Sequence, residues 1–227
     1  MRAGQVRAEQ FPALSALSNV VHGFTLRVPG VEMSHDKVEA LARLDGVHRE
    51  IRSTHGLGHA PFITAQQVHG KRIGVVDNAM TVDKCFGACD GLITNQRDIC
   101  LGIYVADCCA VYLVDPARLA IGLVHSGKKG TEHNVVANAI RSMAENFGSR
   151  ASDIVVQLSP CIRPPHYETN FAGVILQQCR DLGVTASNDY GVCTACDLNR
   201  YYSYRAEKGR TGRMLAFLAM KDVPSRN

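Results

Sequence analysis

The chain has 227 residues, a formal net charge of +4 and a hydrophobic content of 46%, which together predict one globular domain spanning residues 1–227. No basic run exceeds a few residues, so nucleic-acid binding has little support. No segment approaches the roughly 18 consecutive apolar residues of a membrane span, and residues 1–20 lack the apolar stretch of a secretory signal. The nine cysteines show no disulfide-framework spacing, which favours reduced thiols and a cytoplasmic protein.

The first part of the chain predicts an arm, a strand, a helix and then a series of short strands. Residues 1–18 are mixed and predict a peripheral strand or arm, and residues 19–27 predict a strand. Ser34 and Asp36 supply the N-terminal signals of a helix over 36–52. Six short strands are predicted after it, at 61–68, 71–77, 90–94, 99–105, 110–115 and 119–124.

The second part of the chain contains two more helices. Thr131 is expected to cap a helix over 132–147, which stops at Gly148. A buried strand lies within residues 152–162, a further helix within 166–183, and the apolar run RMLAFLAM predicts a closing strand. Many strands combined with three helices in a chain of this length indicate a single α+β domain.

Three metal-binding residue types follow apolar runs. His69 follows FITAQQV, Cys108 follows ICLGIYV and Ala-Asp, and His125 follows LAIGLV. Residues at strand ends lie at a sheet edge, where a rigid scaffold can hold them at a cleft. Two imidazoles and one thiolate suit zinc with an open fourth position. The same residues also suit a cysteine nucleophile, Cys108, activated by His125 or His69, and spacing alone does not separate these interpretations.

The segment Gly-Lys-Lys-Gly that follows His125 is a candidate anion site. It joins the His125 strand to the helix expected from residue 132, so that Lys128, Lys129 and the unpaired N–H groups of that helix would face the same anion. A solvated turn is the alternative.

Two cysteine pairs have metal-ligand spacing but no matching second pair. Cys85 and Cys89 are separated by three residues, and Cys193 and Cys196 by two. The second pair lacks the strand–motif–helix order of a thioredoxin-like site, which makes redox chemistry there an unfavoured interpretation. The sequence assigns neither pair a role.

Six motifs occur in the order QVHG, ACDGLIT, ADCCAV, LVHSGKKGT, SPCI followed by YE, and CTACDLNRYYSYR. Together they resemble the YfiH family, also called the laccase-domain or polyphenol-oxidase family and, in bacteria, peptidoglycan editing factor. The resemblance implies an α+β fold with a central β-sandwich of mixed sheets flanked by helices. It also implies a zinc site formed by His69, Cys108 and His125. The catalytic candidates are Asp107, Cys108 and His125.

The activity implied by this resemblance is zinc-dependent phosphorolysis of purine nucleosides, including adenosine, inosine, guanosine and methylthioadenosine, together with adenosine deamination. A copper oxidase role has also been ascribed to the family, but such chemistry needs several histidine-rich copper sites and this chain offers one trio, so zinc is favoured over copper. The implied ligands are therefore a small purine nucleoside and phosphate, with no nucleic acid or membrane partner. A monomer or a weak homodimer is expected.

The chain departs from the family where phosphate would be handled. Family members usually read VHAGWRGT, whereas Lys128 and Lys129 stand here in place of Trp and Arg, and lysine cannot form the bidentate clamp of arginine. His166 also stands where the family has Cys. Arg27, Lys128 and Lys129 are the phosphate-binding candidates. Two alternatives stay open: a cysteine hydrolase or amidase that edits peptidoglycan precursors, and a divergent, non-catalytic zinc-binding homologue.

Overall fold

The computed structural model describes residues 8–77 and 80–221, which form two six-stranded mixed sheets packed face to face. Residues 1–7 of the predicted N-terminal arm lie outside the described residues. Within residues 8–18 the chain forms a two-residue strand and one helical turn. The α+β sandwich expected from the sequence is confirmed.

The first sheet has antiparallel strands at one end and parallel strands at the other. Its order is β1 (Ala8–Glu9), β2 (Val20–Thr25), β12 (Met214–Met220), β7 (Cys100–Val105), β3 (Phe62–Ala65) and β5 (Lys84–Phe86). The closing strand β12 pairs with β2 and β7 and therefore lies at the centre of the sheet.

The second sheet contains the strand that carries His125. Its order is β11 (Ala186–Asp189), β10 (Val155–Leu158), β8 (Cys109–Asp115), β9 (Ala120–Ser126), β6 (Gly91–Thr94) and β4 (Ile73–Val75). Strands β8 and β9 are an antiparallel hairpin paired over seven residues, and β9 packs against β7 and β12 of the first sheet.

The longer helices cover the outer faces of both sheets, whereas the first, a single turn, contacts one strand of each sheet. The helices are α1 (Pro12–Ser15), α2 (Lys37–Thr54), α3 (Lys128–Glu132), α4 (Val135–Phe147) and α5 (Phe171–Asp181), with short 3-10 turns at Ala151–Asp153 and Thr194–Cys196. Helix α2 begins as predicted, because the Asp36 carboxylate accepts the Glu39 N–H and caps the first turn. No described helix has both the length and the apolar character needed to cross a membrane.

Alternate side chains of β8 belong to two different hydrophobic cores. Ala110, Tyr112 and Val114 point between the two sheets and join the central core. Their neighbours on the opposite face, Val111 and Leu113, pack in the core under α4 and α5. Because side chains alternate with a period of two along a strand, one apolar strand stabilises both layers.

Two edge strands are not predicted from the sequence. Strand β5 lies within the connection at 78–89, and β11 has the polar sequence ASND. Each forms parallel pairs with a single neighbour, β3 and β10 respectively. Such strands form through pairing with residues distant in sequence, so their own composition carries little signal.

The helix predicted over 132–147 is wrong at its start. Thr131 lies inside the five-residue α3, which begins after Gly127, and α4 starts only at Val135. Asn134 separates the two helices because its backbone is left-handed, with φ of 56°, a conformation that asparagine tolerates better than most residues. The helix N-terminus near His125 therefore belongs to α3, which is a single turn. An anion bound there would be held mainly by side chains.

Candidate metal centre

The three predicted metal ligands meet where three segments converge. His125 is the second-last residue of β9, and Cys108 lies directly before β8, the neighbouring strand. His69 follows β3 in a turn and has a left-handed backbone with φ of 61°. The ends of strands from both sheets thus bring His69, Cys108 and His125 together.

The donor set fits a metal ion. One imidazole nitrogen from each histidine and Sγ of Cys108 lie within 4.8 Å of one another, and the two rings are nearly perpendicular with centroids 4.8 Å apart. A Cβ at Gly127 would lie 2.4 Å from Cys108 Sγ, so only glycine leaves the sulfur its position. His125 is buried and His69 is exposed, which leaves one side of the trio open.

Asp90 holds the His125 ring and the turn that carries His69, and sequence reasoning did not identify it as a site residue. The His125 Nδ1–H donates to Asp90 Oδ1 over 2.9 Å, so Nε2 is the ring nitrogen left to bind a metal. A carboxylate that holds the second ring nitrogen of a ligating histidine is a common support of zinc sites. Asp90 is fully buried directly before β6, where the sequence predicts only an Asp-Gly turn.

The same carboxylate shapes the turn that carries His69. The backbone N–H groups of His69 and Gly70 donate to Asp90 over 2.8 and 2.7 Å, and that of Val68 over 3.2 Å. One side chain therefore fixes the backbone of one ligand and the ring of another.

Gln67 attaches this turn to the first sheet. Its side-chain amide donates to the Tyr104 carbonyl over 2.6 Å and accepts the Tyr104 N–H over 3.0 Å. These two hydrogen bonds imitate a strand pairing beyond the end of β3 and hold the His69 turn against β7.

Cys108 and His125 each shift the pKa of the other toward its charged form. Burial opposes the thiolate, but the nearby His125 and His69 outweigh it and lower the pKa of Cys108 to about 6. Burial likewise opposes protonation of His125, and the Cys108 thiolate together with Asp90 raises its pKa to about 9. The thiolate is the form of cysteine that binds metals and attacks electrophiles, so both interpretations of Cys108 have a physical basis.

Asp107 lines the cleft, and its carboxylate is engaged by neighbouring segments. Oδ1 accepts a 2.7 Å hydrogen bond from the Thr194 hydroxyl, and Oδ2 accepts one of 2.7 Å from the backbone N–H of Arg205. In addition the Ile162 N–H donates to the Asp107 carbonyl over 2.8 Å. These contacts position Cys108, whereas a catalytic role for Asp107 stays a prediction.

The trio lies in a cleft of about 650 Å³, a size common for small-molecule sites. Five cationic side chains line it, namely Lys37, Lys128, Arg205, Lys208 and Arg213. Asp107 is the one carboxylate among its lining residues, and the aromatic rings on its walls are Tyr104, Tyr167, Phe171 and Tyr204. The cleft therefore combines positive charge with flat apolar surface.

Two of the predicted phosphate ligands are not among the residues that line the cleft. Arg27 forms an ion pair of 2.6 Å with Glu207 and stacks on the Tyr202 ring. Lys129 is exposed, whereas Lys128, the preceding residue of α3, lines the cleft. Successive residues of a helix point about 100° apart, so only one of the two lysines faces inward.

Lys37 and Arg213 are cleft cations that sequence reasoning missed. Their described side-chain hydrogen bonds go to backbone carbonyls, those of Gln66, Thr211 and Gly212. Burial, and after it the nearby Arg213 cation, lower the pKa of Lys37. Both residues lie far from the metal ligands in the sequence, and no local pattern marks them.

The first cysteine pair does not form a metal cluster. Cys85 is exposed on β5, whereas Cys89 is buried and directs Sγ toward the Phe86 carbonyl. Over residues 8–77 and 80–221, neither belongs to a group of His, Cys, Asp and Glu side chains close enough to share an ion.

Comparison with known proteins identifies the family. The family described as multi-copper polyphenol oxidoreductase laccase matches residues 30–172 and 166–221. The chain belongs to this laccase-domain family. Its similarity to YfiH and YlmD proteins, in sequence and in fold, confirms the resemblance read from the six motifs.

Curated relatives of this laccase-domain chain include two bacterial proteins. It is 26% identical over 201 residues to purine nucleoside phosphorylase YlmD of Bacillus subtilis (strain 168), covering 71% of this chain and 72% of that protein. It is 28% identical over 200 residues to purine nucleoside phosphorylase ORF3 of Streptomyces griseus, covering 76% and 80%.

Solved structures of the laccase-domain family share the fold. YlmD from Geobacillus stearothermophilus superposes with a TM-score of 0.79 at 21% identity, covering 93% of this chain and 94% of that chain. The hypothetical protein YfiH of Bacillus licheniformis gives a TM-score of 0.79 at 22% identity, covering 89% and 93%. At these identities the likeness concerns architecture.

Proposed function

We propose that this protein is a zinc-dependent purine nucleoside enzyme that uses phosphate to cleave the glycosidic bond. The observation that carries the proposal is the His69–Cys108–His125 trio, which opens into a cationic, aromatic-lined cleft. The relatives named purine nucleoside phosphorylase support the same activity. In the reaction a phosphate oxygen bonds to ribose C1′, the bond to the purine nitrogen breaks, and the base leaves with its electron pair and takes up a proton.

His69, Cys108 and His125 would hold the zinc, with Asp90 fixing the His125 imidazole and the backbone of the turn that carries His69. When bound, zinc supplies a Lewis acid and lowers the pKa of coordinated water. The open side of the trio faces the cleft, where a substrate would meet it. Gly127 leaves room for the sulfur on the other side.

The walls of the cleft suit a purine. Tyr167 and Phe171 meet edge to face with centroids 5.9 Å apart, and the Arg205 guanidinium lies 4.9 Å from the Tyr167 centroid. Aromatic and guanidinium planes bind heteroaromatic rings by stacking. These residues would therefore bind the base, while the cations bind phosphate.

Three cations are the best phosphate ligands. Lys37 and Arg213 have no carboxylate among their described hydrogen-bond partners. Lys128 has only a long contact of 3.5 Å to Glu168, which also pairs with Arg205. Partly buried cations that lack carboxylate partners stabilise a bound anion more than solvated ones.

The substrates we infer are adenosine, inosine, guanosine and methylthioadenosine. Adenosine deamination would use the same cleft, since water adds at purine C6 and ammonia leaves without any need for phosphate. Phosphorolysis is expected to be weak, because lysine replaces the arginine and tryptophan usual in the family segment after the second histidine.

The test follows two products in zinc-loaded protein. Hypoxanthine should be released from inosine only when phosphate is present, and inosine should form from adenosine with or without phosphate. Ribose 1-phosphate should appear in equal amount with hypoxanthine. If zinc-loaded protein catalyses neither reaction, the proposal fails in favour of a non-catalytic zinc-binding homologue.

Two adjacent lysines provide a matched test of the phosphate site. Lys128→Ala should raise the phosphate KM about tenfold, since a charge-assisted hydrogen bond contributes about 1.5 kcal/mol, with a smaller effect on the nucleoside KM. Lys129→Ala removes the same charge from an exposed position outside the cleft and should change the phosphate KM less than about twofold. Steady-state kinetics with phosphate and inosine varied separately checks this. Equal changes in the two variants would rule out a specific phosphate contact by Lys128.

A second candidate function is a cysteine hydrolase or amidase. The observation that favours it is the order Cys108, His125, Asp90, in which the carboxylate holds the base and the base activates the thiol. The second imidazole beside the sulfur, His69, favours a metal instead. A hydrolase would stay active after zinc removal and would be inactivated by alkylation of Cys108.

A further inference from the structure

A second cluster of metal-binding side chains lies apart from the first. His166 belongs to the loop between β10 and α5, and after β11 Cys193 precedes a 3-10 turn of which Cys196 is the last residue. One ring nitrogen of His166 and the two sulfur atoms lie within 4.8 Å of one another. All three side chains are of types that bind soft or borderline metals.

The distances match those around a tetrahedral ion. His166 Nδ1 lies 3.8 Å from Cys193 Sγ and 3.6 Å from Cys196 Sγ. Zinc bonds of about 2.3 Å to sulfur and about 2.05 Å to nitrogen at tetrahedral angles give nitrogen–sulfur separations of about 3.6 Å. An imidazole nitrogen accepts one hydrogen bond, yet two sulfurs converge on Nδ1, which a shared ion would explain.

Backbone hydrogen bonds hold the two cysteines close together and beside the segment that leads to His166. The Cys196 N–H donates to the Cys193 carbonyl over 3.2 Å, which folds the C-x-x-C segment into a tight turn. The Cys161 N–H donates to the Val192 carbonyl over 3.2 Å and the Thr194 N–H to the Cys161 carbonyl over 3.3 Å, which pairs this turn with the chain leading to His166. Cys193 is buried, whereas Cys196 and His166 are exposed, so solvent reaches the fourth position.

We propose that His166, Cys193 and Cys196 form a second Zn²⁺ site, with water as the fourth ligand, that clips the 161–167 loop to the 193–196 turn. Two thiolates and one imidazole are soft and borderline donors that favour zinc over magnesium or calcium. The ion binds no substrate, because its ligands are not among the residues that line the cleft.

The two segments joined by the proposed second zinc ion contact residues that line the first site. Thr194, between the two cysteines, donates to the Asp107 carboxylate over 2.7 Å. Ile162 donates to the Asp107 carbonyl from the other clipped segment, and Tyr167, next to His166, lines the cleft. A metal that joins the two segments therefore fixes Asp107, and through it the position of Cys108.

The experiment measures zinc per chain in full-length protein purified under reducing conditions without chelator. Wild type should hold about two zinc ions, and the double variant Cys193→Ser, Cys196→Ser about one. Cys108→Ala should also hold about one, and the triple variant close to none. Cys85→Ser removes an exposed thiol outside both clusters and should keep the wild-type content. His166→Ala replaces an exposed side chain and provides a second test if the double variant does not fold.

Two further readouts separate the sites without an activity assay. Zinc should protect Cys193 and Cys196 from alkylation in the Cys108→Ala variant, where only the second site remains. Cobalt substitution in that variant should give stronger thiolate charge-transfer absorption than in the double serine variant, since two sulfurs bind instead of one. Equal zinc content in wild type and the double serine variant, or a Cys193–Cys196 disulfide in the purified protein, would overturn the second site and leave the proposed function intact.

Discussion

The Cys108→Ala variant is expected to lose the first zinc ion and at least about 10³-fold in kcat/KM for inosine cleavage, since metal-assisted charge stabilisation of about 4 kcal/mol corresponds to that factor. Cys108 provides the one anionic ligand of the trio, and His69 and His125 alone are a weak site for zinc. Metal analysis of the purified variant and product assays with added zinc measure the two losses separately.

Two further variants decide between ligand and nucleophile. Cys108→Asp replaces the thiolate with another anionic zinc ligand, so part of the zinc content and some activity should return. A nucleophilic cysteine would not be rescued in this way. Cys85→Ala changes an exposed thiol outside both clusters and should match wild type. Full zinc retention by Cys108→Ala at the first site would refute the metal assignment.

The parts of the fold that sequence predicted best are the buried strands. Residues 110–115 and 119–124 were expected as strands and form β8 and β9 within two residues at each end, because their long apolar runs require burial on both faces. Strands β5 and β11 escaped prediction, since each depends on one neighbour brought by the rest of the chain. A strand can be predicted from its own composition only when its residues are apolar enough to require burial.

The metal trio was found from residue type and position at strand ends, and the structure brings its three donors together. Asp90 was missed because its partners lie 20 to 35 residues away in sequence. Arg213 was missed because it is distant in sequence from the metal ligands with which it lines the cleft, and Arg27 was chosen although Glu207, a residue far along the chain, engages it. Ligands can be inferred from their own chemistry, but the residues that orient them depend on tertiary proximity.

Asp90→Ala is expected to lower the free energy of unfolding by about 3 kcal/mol or more, because loss of the partner of the buried His125 ring costs about 1–3 kcal/mol and the part-buried N–H groups of His69 and Gly70 lose their acceptor as well. Asp90 is fully buried and accepts hydrogen bonds from the His125 ring and from the N–H groups of His69 and Gly70. Urea denaturation of the metal-free protein measures the change without any contribution from zinc. Asp83→Ala is the matched control: Asp83 is exposed and accepts the Phe62 N–H, so its loss should cost about 1 kcal/mol.

The conservative change Asp90→Asn separates orientation from stability. The amide keeps the size of the side chain and one oxygen for the His125 ring and the His69 N–H, but its NH2 group cannot accept from Val68 and Gly70, and the negative charge beside the His125 ring is lost. Zinc affinity at the first site should fall about 10–100-fold, as for other carboxylates that support a ligating histidine, while zinc at His166, Cys193 and Cys196 stays unchanged. Competition with a chromophoric chelator measures both sites. Wild-type affinity at the first site in Asp90→Asn would show that His69 and His125 bind zinc without this carboxylate, and would limit Asp90 to holding the turn.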